Sequence, residues 1–161
     1  MKNSVKFAMA AVVASLGVSA TSAQAATANA NASATILAPV TVTKTSDLDF
    51  GTIAIGTSGG SVGVDVAGAR TCGAGLICSG PTSAAGFGIT GVVGQTVGIS
   101  VPGTVTLSSG TNNMTATLTG TPSSLVLDGT DAFVVSGSLA VGGTQAAGAY
   151  SGVFTVTVNY Q

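Results

Sequence analysis

The sequence predicts an all-β domain, a sandwich or barrel, and three observations predict it. Beyond residue 25 no stretch repeats its apolar residues at helical spacing; short runs alternate apolar with polar residues instead, each bounded by Gly, Ser, Asn or Pro. The chain holds 24 glycines, which weaken any strand they occupy and mark turns and bulges. Much of the rest is Val, Thr, Ala and Ser, and Val and Thr suit a pleated, half-buried surface.

Taken in order, the elements begin with an export signal. Lys2 and Lys6 form a basic start, Phe7–Val18 is an apolar run too short to span a bilayer, and Ala23-Gln24-Ala25 supplies the small-x-small pattern of a cleavage site. Residues 1–25 are therefore expected to be a signal peptide, 26–38 an N-terminal extension and 39–161 one β-domain. Strands are expected at Val40–Lys44, Leu48–Ile55, Ser61–Val66, Gly86–Gly91, Thr96–Val101, Val105–Ser108, Met114–Thr119, Leu125–Leu127, Phe133–Val141 and Tyr150–Tyr160. Turn signals separate them at Ser58-Gly59-Gly60, Val101-Pro102-Gly103, Thr111-Asn112-Asn113, Asp128-Gly129-Thr130 and Val141-Gly142-Gly143. No fixed-period repeat is present, which argues against a solenoid.

Composition excludes several classes of function. After Ala25 the cations are Lys44 and Arg70 and the anions are Asp47, Asp49, Asp65, Asp128 and Asp131, with no Glu, His or Trp. Nucleic-acid binding needs a cluster of Lys and Arg to displace counterions from phosphates, and a membrane-surface site needs the same cluster. Neither exists here, and no later stretch is long and apolar enough to be a membrane anchor. General acid–base work would fall to Asp alone, and the many serines have no base to activate them, so no catalytic residue, metal site or cofactor is expected. Asp47 with Asp49, and Asp128 with Asp131, could pair over a glycoside or a cation, but turn-capping is the commoner use of Asp beside such turns.

Cys72 and Cys78 bracket Gly-Ala-Gly-Leu-Ile within the Gly-rich stretch Ala67–Gly80. In an exported chain so close a pair reads as a disulfide-closed loop rather than a reactive thiol site, since only Arg70 lies near to lower a thiol pKa.

The two ends are the most informative segments. In Tyr150–Gln161, Phe154, Val156, Val158 and Tyr160 share one face of a strand, and Thr155, Thr157 and Asn159 share the other. In the extension, Ala28, Ala30, Ala32, Ala34 and Ile36 share one face, until Ala38-Pro39 interrupts pairing. Ala is a poor strand former, so this segment alone is extended and mobile. It can become a strand if an open sheet edge supplies hydrogen bonds and shallow pockets.

The ending resembles the subunits of chaperone–usher pili, which carry a penultimate aromatic residue and a Gly thirteen positions before the last: here Tyr160 and Gly148. More of the chain is covered by Pro39-Val-Thr-Val-Thr-Lys44, Leu48-Asp-Phe50-Gly51-Thr-Ile53 and Gly148-x-Tyr150-x-Gly152-x-Phe154. These look like a widespread group of small exported bacterial proteins, often known only as a domain of unknown function and similar to alternative-type, spore-coat-U-like pilins. The resemblance implies an immunoglobulin-like β-sandwich, incomplete and completed by a donated strand. A periplasmic chaperone would first pair with Gly148, Tyr150, Phe154, Val156, Val158 and Tyr160. An outer-membrane usher would then let the extension of a second copy replace it, adding copies head to tail into a surface fimbria serving adhesion or biofilm formation. Two features depart from the best-known pilins: the cysteines are close in sequence, and the donor strand offers mostly methyl groups. A non-polymerising secreted coat or matrix protein that completes its own sheet is the alternative.

Overall fold

The structure, a computed structural model, describes residues 24–161, so residues 1–23 of the expected signal peptide lie outside the described residues. The chain divides into two units at Thr35/Ile36. In the first, residues 24–35 form no strand and are exposed. The second, Ile36–Gln161, is built of twelve strands, and no helix occurs among the described residues.

The strands are β1 (Thr41–Ser46), β2 (Thr52–Ile55), β3 (Gly60–Val64), β4 (Arg70–Cys72), β5 (Leu76–Ser79) and β6 (Ala85–Thr90), followed by β7 (Thr96–Ser100), β8 (Thr104–Ser109), β9 (Asn112–Thr121), β10 (Ser124–Val126), β11 (Asp131–Val141) and β12 (Thr157–Tyr160). All pairings are antiparallel. The long strand β11 organises a seven-stranded sheet. Its first half, Asp131–Val135, pairs with β6, which pairs with β1. Its second half, Gly137–Val141, pairs with β3, which pairs with β4. Val134–Leu139 pair with β9, which pairs with β8. A three-stranded sheet, β10-β7-β12, and a two-stranded ribbon, β2-β5, complete the set.

The side chains show how these pieces layer into a sandwich. One apolar cluster joins Phe87, Ile89, Phe133 and Val135 of the large sheet to Val97, Ile99 and Val158 of the three-stranded sheet. The rings of Phe87 and Phe133 stack at 5.0 Å between centroids, and Phe154 meets Phe87 edge-on at 6.3 Å, as aromatic quadrupoles favour. A second cluster joins Val62, Val64, Ala116, Leu139 and Val141 of the large sheet to Phe50, with Ile53, Ile55 and Leu76 of the ribbon packed against it. One layer is thus the large sheet. The opposite layer is the three-stranded sheet over one end of β11 and the ribbon over the other.

Eight of the ten expected strands overlap a ladder strand over most of their length, and a ninth, Leu48–Ile55, is a ladder strand only in its second half, Thr52–Ile55, with a single bridge from Asp49 to Ser83 before it. The tenth, Tyr150–Tyr160, has ladder pairing only at Thr157–Tyr160 and a single bridge from Ser151 to Ser108. The turn expected at Thr111–Asn113 sits at Gly110–Thr111, with Asn112 and Asn113 already in β9. The stretch Ala67–Gly80 contains two strands where a loop was expected: β4 pairs with β3, β5 pairs with β2, and Cys72 and Cys78 are disulfide-bonded between them.

Candidate functional site

The acidic residues cap turns. Asp49 Oδ1 accepts from the Gly51 N–H at 2.8 Å, and Asp65 Oδ1 accepts from Ala67 and Ala69 N–H at 2.9 Å each. Asp131 Oδ2 accepts from Asp128 and Gly129 N–H, and Asp128 Oδ1 from Thr130 N–H. Asp47 pairs with Lys44 at 2.7 Å, both side chains exposed. The other four carboxylates serve the backbone, as the short Asx turn does generally. Among the described residues no three metal-ligating side chains come together.

The feature with the form of a binding site is apolar. A cleft of about 710 Å³ lies between Leu48–Ile55 on one side and Gln145–Tyr150 on the other, above Leu107, Met114, Leu139 and Val141. Phe50, Leu139 and Val141 are buried, while Leu48, Ile53, Ile55, Leu107 and Met114 are only half-buried. The cleft thus opens onto the second apolar cluster, and the floor of the sandwich is exposed along it.

Of the two walls only that of β2 is in a ladder; Gln145–Tyr150 forms none. Among the described residues β2 pairs with β5 on one edge and with no strand on the other, and β1 likewise pairs only with β6. The opposite wall runs beside β8, where Ser108 and Ser151 exchange backbone hydrogen bonds of 2.8 and 3.2 Å. Its continuation, β12, pairs with β7 alone among the described residues. The free edge of β2 thus borders the apolar cleft. Edges left like this are templates for further pairing.

Local chemistry fixes both walls. Tyr150 OH donates to Ala146 O at 2.8 Å and accepts from Gln145 Nε2 at 2.7 Å, closing the short loop of one wall on itself. Gly152 allows that wall to lie against β8, because a Cβ there would collide with Thr106 O. The other wall hangs on the β4–β5 connection: Cys72 belongs to the large sheet through its pairing with Val62, and Cys78 to the ribbon through its pairing with Ile53. The disulfide joins these layers, and Arg70 Nη1 repeats the tie by donating to Ser79 O at 2.7 Å and Gly80 O at 3.1 Å.

The site residues expected from sequence fall around this frame. Phe154, Val156, Val158 and Tyr160 face the first apolar cluster, and Val153, Thr155, Thr157 and Asn159 face outward. Gly148 and Tyr150 line the cleft wall. Ile36 is 94% exposed at the end of the extension, and Ala28, Ala30, Ala32 and Ala34 lie in the exposed residues before it. The floor and the β2 wall were not among those residues. Alternation in Leu48–Ile55 marks a strand, but it does not reveal that one edge stays unpaired.

Fold and cleft together define an all-β sandwich with an open apolar groove. The chain belongs to the family described as Domain of unknown function (DUF4402), which it matches over residues 40–160. No curated protein and no solved structure matches it.

Proposed function

We propose that this chain is a non-catalytic structural subunit of a bacterial surface fibre of the pilus type, exported through the periplasm and joined copy to copy by strand donation. The observation carrying this is a frame that one added strand could complete: an apolar cleft bordered by the unpaired edge of β2, in a chain that also holds a period-two extension outside its strands. An added strand would gain backbone hydrogen bonds from the edges and pockets for alternate side chains, as in other β-augmentation complexes. The pilin-like ending, Gly148 to Tyr160, supports the same reading, with a periplasmic chaperone covering the groove before assembly and an outer-membrane usher exchanging it.

The test is the native size of the full exported chain. Gel filtration and electron microscopy should show linear multimers for the intact protein and monomers for a variant lacking residues 26–38. An intact protein that stays monomeric at high concentration would instead favour a self-completing coat or matrix protein.

A further inference from the structure

We propose that Ile36 of a second copy is the residue that fills the wide end of the cleft, fixing the register and direction of the donated strand; this rests on the strand-donation reading above. The frame is not uniform along its length. At one end it opens into the 710 Å³ cleft over Leu107, Met114, Leu139 and Val141. At the other end it is drawn nearly shut, where Tyr160 OH donates to Ala38 O at 3.0 Å and accepts from Val92 N–H at 2.8 Å.

The strand registers place these ends at opposite limits of β11. Thr41 pairs with Thr90 and Asp131 with Ile89, so Ala38 and the start of β1 lie by the first residues of β11. Leu139 pairs with Ala116 and Val141 with Gly60, so the wide cleft lies by its last residues. At about 3.3 Å per residue the separation is on the order of 30 Å.

The extension is equally asymmetric. Its inward face reads Ala28, Ala30, Ala32, Ala34 and then Ile36, so four methyl groups precede one large side chain. In its own subunit Ile36 sits two residues from Ala38 and is held within about 7 Å of the narrow end. It cannot reach the wide end of its own cleft; folding the extension back would place only alanines there. A second copy has no such tether. Laid antiparallel to β12, its extension brings the alanines along the narrow part and Ile36 into the wide part. Its own sandwich then sits beyond the cleft end of the acceptor. However many copies join, the row keeps one free cleft at one end and one free extension at the other, the head-to-tail contact that does not close.

Two measurements on the full exported chain test this. Ile36→Cys combined with Met114→Cys should give an intermolecular disulfide ladder under mild oxidation, and Ala28→Cys with Met114→Cys should not. Cross-linking through residue 28 instead, or an Ile36→Cys bond within a monomer, would overturn the assignment while leaving strand donation standing. Multimers absent from the unmodified chain would overturn both. Ile36→Ala, a change outside the strands, should leave monomer unfolding unchanged and speed multimer dissociation by on the order of tenfold to a hundredfold, given the apolar surface lost. An unchanged dissociation rate would place the anchor elsewhere.

Discussion

At the scale of single residues, close approach decides more than charge does. Gly152 sits where any Cβ would press on Thr106 O, so Gly152→Val should push residues 148–156 off β8 and break the bridge between Ser108 and Ser151. A loss of about 2–3 kcal/mol in urea unfolding is expected, at the upper end for single substitutions. Gly137 plays a similar part in β11, where a Cβ would meet Leu48 Cδ2 at 2.9 Å and Phe50 Cζ at 3.2 Å. Those are the ends of movable side chains, so Gly137→Ala should cost less than Gly152→Val in the same assay. Tyr160→Phe removes the donor to Ala38 O and the acceptor for Val92 N–H. The loss should be about 1 kcal/mol per bond, and faster hydrogen exchange at the Val92 amide would report it. The alternation of Phe154, Val156, Val158 and Tyr160 was legible in the sequence because a strand's period of two converts directly into a buried face. What Gly152 touches was not legible, because its neighbour Thr106 is remote in sequence.

At the scale of elements, the ribbon β2-β5 is the part whose behaviour depends most on one covalent bond. The disulfide closes a loop of sequence separation 6, for which chain entropy predicts about 2 kcal/mol. Cys72→Ser with Cys78→Ser should lower global stability by about that amount. The paired amides of the β2-β5 ladder should also lose exchange protection earlier than those of β6 and β11, because the disulfide links the ribbon to the large sheet. Uniform loss across the sandwich would show that the disulfide acts only through the unfolded chain. The disulfide was readable from spacing, but the strands on either side of it were not. Gly68, Gly73, Gly75 and Gly80 dilute the stretch, leaving β4 only Arg-Thr-Cys and β5 only Leu-Ile-Cys-Ser, too short for alternation to register. Their strand character comes from β3 and β2, to which they pair. The opposite wall shows the reverse case. Gln145–Tyr150 is mostly small residues and has no ladder, and its shape comes from the Tyr150 hydrogen bonds to Gln145 and Ala146.

At the scale of the whole molecule, the fold class was evident because short runs alternate apolar with polar residues and the turns between them are frequent and glycine-rich. The groove was not evident from the residues themselves. An unpaired edge is a fact about which strands are neighbours, and neighbours such as β11 with β3, β6 and β9 are set by contacts across most of the chain. Within the sandwich, the wide cleft lies by the last residues of β11 and the start of β1 by its first, at opposite ends of the same strand.

Strand donation is tested most directly by the thermal unfolding of the exported, oxidised chain lacking residues 26–38, measured with and without a synthetic peptide of that segment. A low melting temperature that the peptide raises strongly, with the rise lost when the peptide carries Ile36→Asp, is the expected result. A cooperative melt at the same temperature with and without peptide would contradict it, because a sandwich that needs no added strand has no groove to complete.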